Sequence, residues 1–397
     1  MSDKSGIEWT DATWNPIVGC SVVSPGCTNC YAMKQAYRIR AMADGAGRAT
    51  HYQHVVRMHE PSAAPIWTNK VGLAPDHILT VPLRWKRPRK IFVNSMGDLF
   101  HENVPDAWID RVFAAMALAP QHTFQVLTKR SKRMREYLAT PMLRPRIDIA
   151  RAEVSSGRED NWKLTAGAYG AWPIPNVWLG VSAERQQEAD ARVPDLLATP
   201  AAVRFVSGEP LLGAINFEKW IAPPVVHHHP DNDQSSHAVR LLVAAIARQV
   251  APRLDWIIVG GESGPGARPM HPDWPRAIRD QCAAAGVAFF FKQWGEWAPF
   301  HPDWPRASGS VLADDGTLYR PSDLAYPDGP RYGDAIRANH DKARLTTMYR
   351  IGKRRAGRLL DGVEHNAFPD VRTPSFDRLR MRADRLSPTA AFEGSAP

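Results

Sequence analysis

Cys20, Cys27 and Cys30 stand at C-x6-C-x2-C spacing in a chain of 397 residues whose one further cysteine is Cys282. Three thiolates at that spacing can converge on one inorganic centre, and an odd number cannot be consumed by disulfides. Four cysteines in a chain this long also argue against a disulfide framework. Structural zinc takes four ligands; no Cys or His near the triad has the spacing of an obvious fourth, although His51, His54 and His59 could approach in space. Iron–sulfur clusters are held by thiolates in compact loops. Gly19, Pro25 and Gly26 supply the tight turns such a loop needs. The helix-compatible run from Tyr31 places Cys30 near a helix N-terminus, which favours thiolate. The first reading is a three-thiolate cluster that leaves one iron free for a substrate or cofactor; zinc and unliganded thiols are the other two. Cys282 falls on an apolar helical face and reads as a buried thiol.

A second set of chemical groups follows short apolar runs. Asn94, Ser95 and Asp98 follow the run from Lys90; Thr128, Lys129 and Arg130 end the run from Thr123; Ser182 and Glu184 end the run from Val177. Ser207 and Glu209, Glu262 and Ser263, and Lys292 and Gln293 do the same after the runs beginning at Val203, Trp256 and Ala288. If these runs are the strands of a parallel barrel, their polar ends converge on one mouth. Asn94, Ser95, Asp98, Lys129, Ser182, Glu209 and Glu262 are the expected cofactor- and substrate-binding groups, and no catalytic residue is assigned. Glu209 and Glu262, each flanked by Gly or Pro, could bind an ammonium or a ribose hydroxyl. Gly260–Arg268 could present amides and Arg268 to an anion, or could be a tight turn.

The elements that must hold these groups alternate between strand and helix. Trp108, Ile109, Val112, Phe113 and Met116 keep a 3.6-residue stripe after Pro105. Asp273 can cap a helix carrying Trp274, Ile278 and Cys282 and ending before Gly286. With a short strand before Cys20 there are about seven βα units. The expected fold is therefore α/β, a complete or partial (β/α) barrel behind an N-terminal three-cysteine loop, with a doubly wound open sheet as the alternative. Residues 1–299 read as the barrel-like domain, with the cysteine loop at 20–30 and polar insertions near 142–175 and 222–252. Residues 300–372 read as a C-terminal extension, loop-like from Phe300 to Asp334 and then helical and basic from Thr346 to Gly362. Residues 373–397 read as a disordered tail.

The formal net charge is +9, and 14 residues are Trp. Basic charge beside aromatic rings is compatible with a nucleic-acid partner, and Lys353–Arg358 is the best candidate for phosphate contact. The run His227–His229 lies in a polar insertion and is expected to bind nothing. No stretch approaches the ~20 apolar residues of a membrane span, and the first residues lack the order of a secretory signal. A cytoplasmic protein with no membrane contact is expected.

The runs Trp14–Cys20 and Ser24–Ala32 resemble those of a phage-associated three-Cys-motif family. The resemblance continues through Phe92–Phe100, Leu127–Arg130, Leu179–Ser182, Ser207–Leu212, Ile258–Arg268, Phe289–Gly295 and Gly352–Gly362. The cysteine loop ahead of βα units also resembles the radical S-adenosylmethionine enzymes, whose loop is C-x3-C-x2-C; here the second interval is kept and the first is six residues. That resemblance implies a [4Fe-4S] cluster on Cys20, Cys27 and Cys30. It further implies S-adenosylmethionine on the open iron, a reductant for the cluster, and cleavage to a 5′-deoxyadenosyl radical. In such enzymes a Gly-Gly-Glu run after the second strand binds the cofactor's ammonium. Gly260-Gly261-Glu262 comes much later, and by position Asn94–Asp98 is the equivalent. The expected function is an iron–sulfur enzyme that modifies or repairs a nucleic acid or nucleotide. The competing readings are a zinc-stabilised nucleic-acid-binding protein without catalysis and a barrel enzyme whose cysteines are only structural.

Overall fold

The computed structural model describes residues 5–58, 64–155, 172–221, 252–299, 309–320 and 344–370. His59, the run His227–His229, nearly all of the insertion near 222–252 and the tail from Thr373 lie outside the described residues.

The N-terminal part supplies β1 (Ala12–Trp14) and the short strands β2 (Ile17–Val18), β3 (Val56–Met58), β4 (Pro65–Trp67) and β5 (Gly72–Leu73). They are followed by β6 (Lys90–Val93), β7 (Thr123–Thr128), β8 (Val177–Ser182), β9 (Val203–Gly208), β10 (Trp256–Gly260) and β11 (Ala288–Gln293). The main sheet runs β1-β6-β7-β8-β9-β10-β11, with every neighbouring pair parallel. Strand order therefore advances in one direction without reversing. A doubly wound sheet needs a reversal, so the architecture is the partial (β/α) barrel. Among the described residues no strand joins β1 to β11.

Alternation along each strand sorts side chains between two faces. Val93, Val126, Val181, Val206, Val259 and Phe291 face outward into the large core shared with the helices. Phe92, Trp178, Phe205, Trp256, Ile258 and Phe290 turn inward and pack together with Trp9. The helices are α1 (Tyr31–Gly45), the single turn α2 (Asp76–Leu79), α3 (Asp106–Ala117), α4 (Ser131–Leu138) and α5 (Leu143–Ser155). Then come α6 (Gln186–Leu197), the single turn α7 (Glu218–Ile221) and α8 (Asp273–Ala285). Pro105 is the N-cap of α3 rather than its first residue. Pro272 likewise precedes α8, which opens on Asp273 and closes on Gly286 in the left-handed region.

Three stretches differ from expectation. The segment near 142–175, read as polar and irregular, begins with α5, whose Leu143, Ile147, Ala150 and Val154 join the core against α3. Ser310–Ala313 (β13) and Leu318–Tyr319 (β14) form a hairpin within the stretch read as loop. The start of the basic segment is a strand: Leu345–Arg350 (β15) pairs antiparallel with β13 and with Trp297–Pro299 (β12). Paired Thr346 and Thr347 favour an extended backbone, and only the turn α9 (Lys353–Ala356) is helical. No helix among the described residues is long and apolar enough to cross a membrane.

Candidate functional site

Cys20, Cys27, Cys30, Asn94, Ser95, Asp98, Lys129, Ser182, Glu209 and Glu262 all line one cavity of about 430 Å³. It lies at the C-terminal ends of the parallel strands, where each chain segment leaves the sheet for its crossover. Register sets its walls: Ser182 on β8 is paired level with Ser207 on β9, and both hydroxyls reach the cavity. Trp9, Phe92 and Leu127 form apolar wall, and Tyr31 stands at its edge with 57% of its surface exposed.

The cysteine loop is folded by short backbone bonds. A 3-10 turn at Pro25–Cys27 lets the Cys27 amide donate to Ser24 O at 2.9 Å, and the Cys30 amide donates to Cys27 O at 3.2 Å. Cys30 then serves as the N-cap of α1. All four cysteines are free. Three side-chain contacts fasten the loop to the barrel. Ser24 donates to the fully buried Glu184 at 2.6 Å, Asn29 Nδ2 donates to Gly266 O at 2.8 Å, and Arg268 donates to Pro25 O at 2.9 Å.

Two cations face the sulfurs. Arg130 donates to Cys20 Sγ and to Asp98 Oδ2, both at 3.3 Å, and also to Ser21 Oγ. Lys129 pairs with Glu184, whose other oxygen takes Arg192 at 3.0 Å. Burial, reinforced by the charge of Asp98, pushes the Cys20 thiol up to about 12 despite Arg130. Burial also raises Cys30. For Cys27 burial acts upward too, but the Lys129 ammonium and hydrogen bonds from the Val23–Ser24 region outweigh it and hold this thiol below its ordinary value. Burial lowers Lys129 to about 8, with the Cys27 charge opposing. The loop thus contains one thiol held below its ordinary value between two held above theirs.

The expected polar groups divide by whether their atoms are already engaged. Asp98 is saturated: Thr128 Oγ1 donates at 2.6 Å, the amides of Phe100 and Lys129 at 3.0 Å each, and Arg130 from the side. Its carboxylate holds the ends of β6 and β7 together and has no oxygen left for a ligand. Ser95 donates to Asn15 Oδ1 at 3.1 Å. Glu209 is paired with Lys292. Glu262 accepts from the Arg268 amide, Nε and Nη2 at 2.8, 2.8 and 2.6 Å. Glu262 meets an ammonium ligand only by loosening its hold on Arg268, whereas Lys292 occupies one oxygen of Glu209. Asn94, held at φ 61°, accepts from the Ile17 amide at 3.1 Å, but its buried Nδ2 has no protein partner. Gln293 Oε1 and Trp9 Nε1 are likewise buried without a partner, and both residues line the cavity.

The glycines of Gly260–Arg268 are explained by packing. A Cβ on Gly261 would come within 1.9 Å of the Trp294 carbonyl, and one on Gly295 within 2.1 Å of the Glu262 carbonyl. The two turns are pressed against each other, so the run is a tight turn whose Arg268 is spent on Glu262. Ser24, Arg192 and Trp9 escaped sequence reading: a lone serine, a helical arginine and an N-terminal indole carry no spacing signal. Glu184 was visible as a strand-end residue, but its role as the loop's anchor was not.

Among the described residues no group of three or more His, Cys, Asp and Glu is arranged to hold a metal ion. His51 and His54 do not line the cavity.

The chain matches, over residues 4–369, the family described as protein of unknown function DUF5131, and it belongs to that family. No curated protein and no solved structure matches it.

Proposed function

We propose that this member of the DUF5131 family is an iron–sulfur enzyme of the radical S-adenosylmethionine kind, acting on a nucleic acid or nucleotide. The observation that carries the reading is the shared cavity: three thiols and the polar ends of six parallel strands face one space. The donor set fits a polynuclear cluster better than zinc. Among the described residues it has three sulfurs, no histidine beside them in the cavity, and no arrangement around a single ion. In a cluster each thiolate takes a different iron, so the sulfurs need not meet at one point. The phage-associated and radical-enzyme likeness of the motifs points the same way.

Cys20, Cys27 and Cys30 would hold the cluster, and the lowered Cys27 thiol is the one readiest to ligate. Such a cluster with S-adenosylmethionine bound would supply radical chemistry on reduction. Arg130 and Lys129 offset the negative charge of thiolates in a poorly solvated place. Ser182, Ser207 and the free Nδ2 of Asn94 offer a ligand hydrogen bonds that the protein does not use. Trp9, Phe92 and Leu127 shield the interior from water.

Anaerobic reconstitution with iron and sulfide tests this. The expected result is a thiolate-to-iron charge-transfer band and, with S-adenosylmethionine and dithionite, release of 5′-deoxyadenosine. One zinc and no iron per chain overturns it in favour of a zinc-stabilised nucleic-acid-binding protein.

A further inference from the structure

Exposed cations stand on two elements at the cavity's mouth. On one side is α9. The amides of Ile351 and Gly352 donate to Glu296 O at 3.0 Å each, and the Glu296 amide donates to Glu262 O at 3.0 Å, so this turn is built directly onto the cavity wall. Lys353 lines the cavity and stands 3.5 Å from Glu8, while Arg354 and Arg355 are exposed and make no ion pair among the described residues. On the other side, α1 begins with Tyr31 at the cavity edge, and Lys34 and Arg38 follow at i+3 and i+7 on the same face. Neither of these two has an acidic partner among the described residues. Inside, each carboxylate of the wall has its own cation: Asp98 with Arg130, Glu209 with Lys292, Glu262 with Arg268. Among the described residues Lys34, Arg38, Arg354 and Arg355 are therefore left uncompensated.

We infer that the substrate is a single-stranded nucleic acid lying across the mouth. Its phosphates meet Arg354 and Arg355 on one rim and Lys34 and Arg38 on the other, and a base stacks on Tyr31. A free nucleotide carries its phosphates at one end and has no use for cations on both sides of the opening. Rings stack on bases without regard to sequence, and cations track the backbone, which is how single strands are held. The inference rests on the cavity being the substrate site and specifies the polymeric form.

The test is fluorescence anisotropy with the full, anaerobically reconstituted chain. The probes are labelled DNA and RNA strands of about 12 nucleotides, with inorganic polyphosphate of matching charge as control. The wild type is expected to bind at least one strand more tightly than polyphosphate, and the DNA and RNA arms show which. R354E/R355E and K34E/R38E should each weaken binding roughly tenfold or more and flatten its salt dependence, with iron content unchanged. Absence of strand binding by iron-replete protein, equal affinity for polyphosphate, or affinity unmoved in both variants overturns the inference. Iron-free protein that still binds strands through these four residues supports it while removing the enzyme reading.

Discussion

The Ser24 hydroxyl donates to the Glu184 carboxylate at 2.6 Å, across 160 residues of chain. Glu184 has no exposed surface, and Lys129 and Arg192 complete its shell. One carboxylate thus joins the cysteine loop to the ends of β7 and β8 and to α6. A Cβ on Gly26 would come within 2.3 Å of the same group, so the loop backbone lies directly against it.

Glu184→Ala leaves two cations in a dry place with no counter-charge, which costs about 3–5 kcal/mol. Glu184→Gln keeps an acceptor for Ser24 and is expected to lose less. Urea unfolding ranks the two, and iron retention in folded Gln variant reports the loop alone. A midpoint unmoved by Glu184→Ala would show that the pair is not a fastening.

Each of Cys20→Ala, Cys27→Ala and Cys30→Ala is expected to abolish the charge-transfer band after reconstitution. Cys282→Ala, deep in the core on α8, should lower stability and leave iron content at the wild-type level. Iron analysis per chain separates the two outcomes, and full loading of all three loop variants counts against a thiolate-held cluster.

Gly261→Ala forces a Cβ onto a backbone carbonyl at 1.9 Å, and neither turn can yield. The overpacking cost is about 1–3 kcal/mol. Gly266→Ala meets only the end of the Asn29 side chain, at 2.6 Å, so its effect on the unfolding midpoint should be the smaller. Equal midpoints would remove the packing explanation of the glycine run.

Asp361, at the start of the final described turn, accepts hydrogen bonds from Arg276 and Arg279 on α8. The Arg276 bond above all, against slight burial, holds its carboxyl below the usual range. A lowered carboxylate stabilises the folded chain above its unfolded pKa and stops doing so as pH falls through its folded value. Acid unfolding of Asp361→Asn should therefore lack part of the stability loss that the wild type shows below about pH 4. Parallel pH profiles for the two proteins would exclude this linkage.

The barrel strands were legible because a buried parallel strand is a compact apolar run with polar residues at its end. Val177–Ser182 and Trp256–Gly260 are of this kind, and the convergence of Ser182, Glu209 and Glu262 follows from parallel topology alone. The C-terminal sheet was not legible. In Leu345–Arg350 the mixture of β-branched, apolar and basic residues suits either period, and only pairing with distant β12 and β13 decides it. Whether a polar group is free or spent was equally hidden. Asp98 and Asn94 lie four residues apart after the same strand, yet one is saturated and the other keeps an unused donor, because their partners come from residues near 15, 100 and 130.

The segment that lies along β11 has a geometric consequence for what can enter. Residues 365–367 run antiparallel along β11, through a bridge between Phe290 and Asn366, and Phe368 stacks on Trp256 at 4.9 Å. The trough is therefore stoppered at its base. What binds in the cavity must therefore come in from the end where the strands finish, past the cysteine loop and Tyr31.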